Sequence, residues 1–142
     1  MKEHDMNEFE MKEEYYLGIE NIDKQHAKLL GLMKEADELL RDENMLYKDE
    51  DISKILSGIK EYVHSHFIDE ENFMAEIGYQ GLEEHKKLHQ EFAVKVDEFD
   101  SHVAKLSLGT QDSMLLELLN YLRLWLQNHI CETDRKYAES VQ

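Results

Sequence analysis

The sequence contains no proline and only six glycines in 142 residues. Proline breaks helix interiors and glycine loosens them, so their scarcity leaves long helices unobstructed. A single cysteine excludes an intrachain disulfide framework and a zinc site built from four thiolates. A reducing compartment, the cytoplasm, is the expected location. The opening residues M-K-E-H-D-M-N-E-F-E carry no apolar stretch of the signal-peptide kind. No run approaches the ~18 apolar residues of a membrane helix, so no membrane partner is expected. Basic residues are also in short supply: 16 Lys and Arg stand against 32 Asp and Glu, a formal net charge of −16. That balance argues against nucleic acid and anionic membrane surfaces as partners.

What is present is helical periodicity. A chain of this length fits one domain and can bury roughly two thirds of its unfolded surface. Four segments place apolar residues at alternating spacings of three and four. The first runs Ile22, His26, Leu29, Met33, Ala36, Leu40. The second runs Ile52, Ile55, Ile59, Tyr62, His66, Glu70, Phe73, Ile77. The third runs Leu82, His85, His89, Phe92, Val96, Phe99, Val103, Leu106. The fourth runs Leu115, Leu118, Leu122, Trp125, His129, then Thr133 or Asp134, then Tyr137. Gly78 and Gly109 suit helix C-termini, and Thr110 or Asp112 could cap the fourth helix. The spacing predicts an all-α fold, an up-down-up-down four-helix bundle whose stripes meet in the middle. An N-terminal arm over 1–18 is expected to precede a bundle domain over 19–142.

The polar residues on these stripes carry the chemistry. His26, His66, Glu70, His85, His89, His129 and Asp134 all fall on or beside the predicted seam. His66 and Glu70 are four residues apart, as are His85 and His89, so each pair shares a helix face. Measured from the intervening turns, the seven positions agree in height to within roughly one or two helical turns. Burying them without partners would cost several kcal/mol. Mutual hydrogen bonds or a metal must compensate. Imidazoles and carboxylates suit borderline divalent ions such as iron, zinc, manganese or copper. Seven ligands are too many for one ion. If two ions sit side by side with both carboxylates bridging, the histidines, the carboxylates and a bridging solvent oxygen fill all but one of the positions of two octahedral ions. The open position could take a small ligand. Asp134 fits this scheme poorly on an ideal helix, because it lies about 140° round from His129. A slight rotation or a local distortion of the helix would bring it in.

At these residues the chain resembles the single-domain bacterial hemerythrins, over about Tyr15 to Tyr137. The matching motifs are G-I-E-N-I-D-K-Q-H ending at His26, H-F-I-D-E-E from His66, H-K-K-L-H from His85, and W-L-Q-N-H-I-C-E-T-D from Trp125. HxxxH or HxxxE alone occurs by chance as a surface pair; all four motifs in order do not. The resemblance implies a non-haem di-iron centre, bridged by oxo or hydroxo, that binds molecular oxygen reversibly for transport, storage or supply. It assigns His85, His89 and His129 to one iron, His26 and His66 to the other, and Glu70 and Asp134 to both. Phe67, Trp125, Leu126 and Ile130 would line the oxygen pocket and keep it dry. No further acid–base residue stands out, so a binding protein is expected rather than an enzyme. The alternatives are a di-iron oxidoreductase acting on peroxide, nitric oxide or oxygen, and an oxygen- or redox-sensing module.

Two positions depart from the family pattern. Met11 stands where many relatives carry tryptophan in the arm, and G-Y-Q replaces G-Y-P between the second and third helices. Neither change removes a ligand. His4, His64 and His102 are expected outside the cage, and Cys131 is expected to be a partly buried, inert thiol turned away from it.

Overall fold

The computed structural model describes residues 8–141. Most of the arm's first half, including His4, lies outside them. The helices are α1 (Glu20–Arg41), α2 (Asp49–Glu76), α3 (Leu82–His102), α4 (Gln111–Trp125) and α5 (Arg135–Glu139). A π-helical stretch, Leu126–Asp134, joins α4 to α5, so the three together make the fourth rod of the bundle. Short 3-10 turns sit at Glu13–Tyr15 and Val103–Lys105. There is no strand among the described residues, and no helix there is long and apolar enough to cross a membrane.

The helices start where acidic residues meet the positive end of the helix dipole: Glu20 and Asp23 in α1, Asp49, Glu50 and Asp51 in α2, Glu83 and Glu84 in α3. Asp23 also reaches back to the backbone N–H of Leu17 at 2.7 Å and of Gly18 at 3.2 Å, which ties the arm to α1. Gly18 and Gly78 both have positive φ, 83° and 66°. At Gly78 this ends α2 in a Schellman turn, with Tyr79 N–H bonded to Met74 O at 2.9 Å and Gly78 N–H to Ala75 O at 3.2 Å. Gly109, by contrast, does not end a helix. α3 stops at His102, and Val103 and Leu106 continue the expected stripe only as half-buried residues of a 3-10 turn and its exit. Thr110 occupies the N-cap position of α4, but its hydroxyl accepts from Ser107 N–H at 2.9 Å and caps no helical N–H.

α2 packs against both α1 and α3, and α4 packs against α1. Aromatic contacts close the remaining side, with Phe92 of α3 against Trp125 and Tyr121 of α4 at ring separations of 4.3 and 5.7 Å. The apolar core divides into two clusters. The larger holds residues such as Leu30, Leu56, Phe92 and Leu118; the smaller holds Leu17, Ile22, Met74, Tyr137 and Ala138. The stripes predict most of this, with small phase shifts. Leu39 is buried where Leu40 was expected, and Met74 where Phe73 was expected. Two charges are buried that periodicity does not reveal. Lys48 is held by Asp112 at 2.9 Å and fastens the α1–α2 connection to α4; Asp37 receives Arg41 at 3.1 Å.

Candidate metal centre

All seven seam residues come together in one buried layer. Each is between 0 and 4% exposed. Their ligand atoms form two groups, each with all atoms within 4.8 Å of one another. One group is Glu70, His85, His89, His129 and Asp134; the other is His26, His66, Glu70 and Asp134. The two carboxylates belong to both. Glu70 turns Oε1 toward His85 and His89, each 2.9 Å away, and Oε2 toward His66 at 3.3 Å. Asp134 turns Oδ1 toward His85 at 2.9 Å and His129 at 3.0 Å, and Oδ2 toward His26 at 3.4 Å. Each carboxylate therefore spans a three-histidine side and a two-histidine side.

The π-helix explains how Asp134 arrives there. A π turn closes over five residues rather than four, so residues at i and i+5 share a face. His129 and Asp134 are such a pair, and the stretch Leu126–Asp134 contains them both. The Thr133 hydroxyl donates to Asn128 O at 3.1 Å, five residues back, along the same turn. Of the two adjustments expected at this point, a slight rotation or a local distortion, the structure shows the distortion.

The imidazole orientations suit a cation. His66 Nδ1–H donates to Gln25 Oε1 at 2.6 Å, His89 Nδ1–H to Glu71 Oε2 at 2.9 Å, and His26 Nδ1–H to Tyr15 O at 3.4 Å. Such outer bonds fix the tautomer and leave Nε2 as the ligating atom. Gln25 is itself set by Asp69, which accepts from its amide at 2.7 Å. Nε2 of His26, His66 and His129 and both oxygens of Asp134 make no hydrogen bond, although they lie 2.9–3.4 Å from neighbouring carboxylate or imidazole atoms. The atoms are close, but not aimed along one another's hydrogen-bond axes. Buried polar atoms left in this state call for a partner such as an ordered water or an ion, and this donor set fits divalent cations.

Electrostatics tell the same story without a metal. Burial disfavours charge on His85, but the carboxylates of Asp134 and Glu70 close beside it outweigh that and raise the imidazole to about 9. His129 is raised too, burial again being overcome, here chiefly by Asp134. Burial and the neighbouring Glu70 push Asp134 up, while His129 and His26 hold it down at about 2. Burial likewise opposes the charge on Glu70, yet His66, His129 and His85 hold it well below the ordinary carboxylate range. In metal-free protein protons therefore do part of the cation's work. The raised His85 contributes stability fully below its unfolded value of 6.5 and loses it as pH rises through about 9. The depressed Asp134 contributes above its unfolded value of 3.8 and loses it as pH falls toward about 2. Thermal melts in chelator are expected to show a plateau between roughly pH 4 and 6.5, with the melting temperature falling on both sides. A melting temperature that keeps rising to pH 9 would contradict this assignment.

Aromatic rings cover the cage. Phe67 stacks on His89 at 3.8 Å and 2°, Trp125 on His129 at 3.8 Å and 12°, and Tyr62 on His66 at 4.7 Å and 15°. Leu126 and Ile130 are buried beside them. Sequence reading missed Tyr137, whose hydroxyl donates to Glu70 Oε2 at 2.7 Å, and the outer partners Gln25, Glu71 and Asp69. Tyr137 sat on the apolar stripe, which was its only signal. His64 and His102 are exposed, away from the cage. Cys131 is half-buried, and burial raises its thiol, which suits an unreactive side chain. A cavity of about 430 Å³ lined by Lys95, Phe99 and Met114 shares no residue with the cage.

Residues 17–141 match the family described as Hemerythrin HHE cation binding domain. The chain belongs to the hemerythrin family. It is similar to a bacteriohemerythrin of Clostridium acetobutylicum, 37% identical over 131 residues, which cover 92% of this chain and 99% of that protein. A bacteriohemerythrin of Pseudomonas paraeruginosa is 30% identical over 125 residues, 88% of this chain and 76% of that one. A myohemerythrin of Riftia pachyptila is 27% identical over 127 residues, 89% of this chain and 88% of its own. The hemerythrin match spans α1 through α5 and so includes every residue of the cage.

Proposed function

We propose that the chain binds molecular oxygen reversibly at two iron ions, held by His85, His89 and His129 on one side, His26 and His66 on the other, and Glu70 and Asp134 between them. The observation that carries this reading is the pair of ligand groups sharing both carboxylates. A pair of iron ions, when bound, supplies the two electrons that reversible oxygen binding draws on. The protein supplies the asymmetry: the His26–His66 side offers one imidazole fewer, which leaves room there for a small ligand. Phe67, Trp125, Leu126 and Ile130 form the wall that keeps water out. Tyr137 holds Glu70 in place through its hydroxyl.

The alternative reading is an oxidoreductase that turns oxygen over at the same centre. An oxygen electrode separates the two readings. Ferrous protein is expected to take up about one oxygen per pair of irons and return it when the gas is swept away. Continuous oxygen consumption with an added reductant, beyond that stoichiometry, would make the chain an oxidoreductase instead.

A further inference from the structure

We propose that Asp69 is a positioning residue for the iron pair: it locks the amide of Gln25, and through that amide fixes which nitrogen of His66 faces the cage and how strongly that nitrogen donates. The proposal deepens the two-iron reading above and rests on it. The contacts run inward from a half-buried carboxylate. Asp69 Oδ2 accepts from the Gln25 amide at 2.7 Å and from the Asn21 amide at 3.2 Å. Asn21 and Gln25 are one turn apart on α1, so both reach α2 from one face. A carboxylate can only accept, so Gln25 must turn its NH2 toward Asp69 and its carbonyl oxygen away. That oxygen lies 2.6 Å from His66 Nδ1. It too can only accept, so His66 carries its proton on Nδ1 and keeps the Nε2 lone pair for the cage. Nε2 is the atom that lies 3.3 Å from Glu70 without a hydrogen bond.

Without the charge at position 69, either end of the Gln25 amide can meet His66. The flipped amide sets a donor against Nδ1 and drives the proton to Nε2, where it blocks ligation. The relay also carries charge. Asp69 polarises the Gln25 amide, strengthens its oxygen as an acceptor, and so makes His66 a more basic ligand. The other outer contacts show how selective this is. His26 meets only a backbone carbonyl, at 3.4 Å, and Nδ1 of His85 and of His129 makes no hydrogen bond. Two of the five imidazoles are backed by an anion, one on each side of the cage: His89 directly by Glu71, and His66 by Asp69 through Gln25. His66 lies on the two-histidine side, where the small ligand is expected. A more basic imidazole there favours ferric over ferrous iron and makes the ferrous ion the better electron donor.

The test reads the reduction potential of the iron-loaded protein, its affinity for ferrous iron, and the melting temperature of the metal-free chain. Asp69→Asn keeps the size and can still accept from Gln25, but it removes the charge and the lock. It is expected to hold the iron pair about tenfold more weakly. Its potential is expected to rise by about 59 mV, the one-electron equivalent of a tenfold change in preference for ferric over ferrous iron. Its metal-free melting temperature is expected to stay within about 4 °C of wild type. Asn21→Ala breaks the other bond to Asp69 and is expected to move neither potential nor affinity. Gln25→Met cuts the relay at its middle. It is expected to shift both in the same direction as Asp69→Asn, and adding Asp69→Asn to it is expected to change nothing further. Additive shifts in the double variant would overturn the proposal, because the charge would then act through space. Unchanged potential and affinity in Asp69→Asn would overturn it too, as would equal changes in Asn21→Ala. Should Gln25→Met not load the pair, the comparison of Asp69→Asn with Asn21→Ala decides. Wild type that loads two irons but whose potential and affinity ignore Asp69→Asn overturns the relay alone. Wild type that takes up no iron overturns the two-iron reading and the relay with it.

Discussion

Glu70→Ala is expected to abolish loading of the iron pair and oxygen binding together. Glu70 is fully buried and central to the cage: His85 and His89 approach one of its oxygens at 2.9 Å, and His66 and Tyr137 approach the other at 3.3 and 2.7 Å. It is also one of only two anions shared by both ligand groups. Its removal takes away a donor from each side at once. It also strands the Tyr137 hydroxyl and the imidazoles it had compensated, and breaking one partner of a buried charge network costs about 3–5 kcal/mol. The variant is therefore expected to carry fewer than two irons per chain, to show no oxygenated spectrum, and to melt lower than metal-free wild type. Glu70→Gln keeps the shape and removes the charge, so it separates chemistry from packing. It is expected to fold with nearly native helicity and still fail to hold the iron pair. Two irons and normal oxygen binding in Glu70→Gln would remove Glu70 from the site.

Stripping the metal from wild type is expected to lower the melting temperature by about 15 °C or more while leaving the helices folded. Each ion bound at about a thousand times its dissociation constant adds roughly 4 kcal/mol, and for a domain of this size each kcal/mol moves the midpoint by about 2–4 °C. The helices persist because the apolar clusters do not depend on the cage. Leu30, Leu56, Phe92 and Leu118 pack in one cluster, and Ile22, Met74 and Tyr137 in the other. Within the cage, protonated His85 and the carboxylates Glu70 and Asp134 partly offset one another until the metal returns. Rebinding must then expel protons, so affinity is expected to rise with pH through the range in which His85 titrates. Circular dichroism melts before and after chelation give the shift directly. Equal melting temperatures would mean that no tightly held ion occupies this layer.

Much of this candidate site was legible because its residues interrupt an otherwise apolar periodicity. His26 among Ile22, Leu29 and Met33, or His129 after Leu118, Leu122 and Trp125, is a polar residue on a buried face and so calls for a partner there. Antiparallel counting then set all seven at one height. The sequence even exposed its own misfit at Asp134, and the π-helix resolves it by bringing residues five apart onto one face. The partners that orient the imidazoles were not legible. Gln25 serves His66 across 41 positions and Glu71 serves His89 across 18. Both are polar residues beside a stripe, indistinguishable in sequence from solvated ones. Lys48 and Asp37 escaped for the related reason that a buried ion pair reads as two surface charges until the helices are placed. The end of α3 was overrun because Val103 and Leu106 keep the apolar phase after the backbone has tightened into a 3-10 turn.

The most direct test of the account is an anaerobic optical titration with iron measured on the same sample. Protein reconstituted with ferrous iron is exposed to oxygen, and the oxygen is then withdrawn. The account predicts two irons per chain and a charge-transfer spectrum that appears with oxygen and disappears without it. One-way conversion to a ferric form with no oxygenated spectrum would contradict reversible binding. Failure to take up iron at all would contradict the site itself.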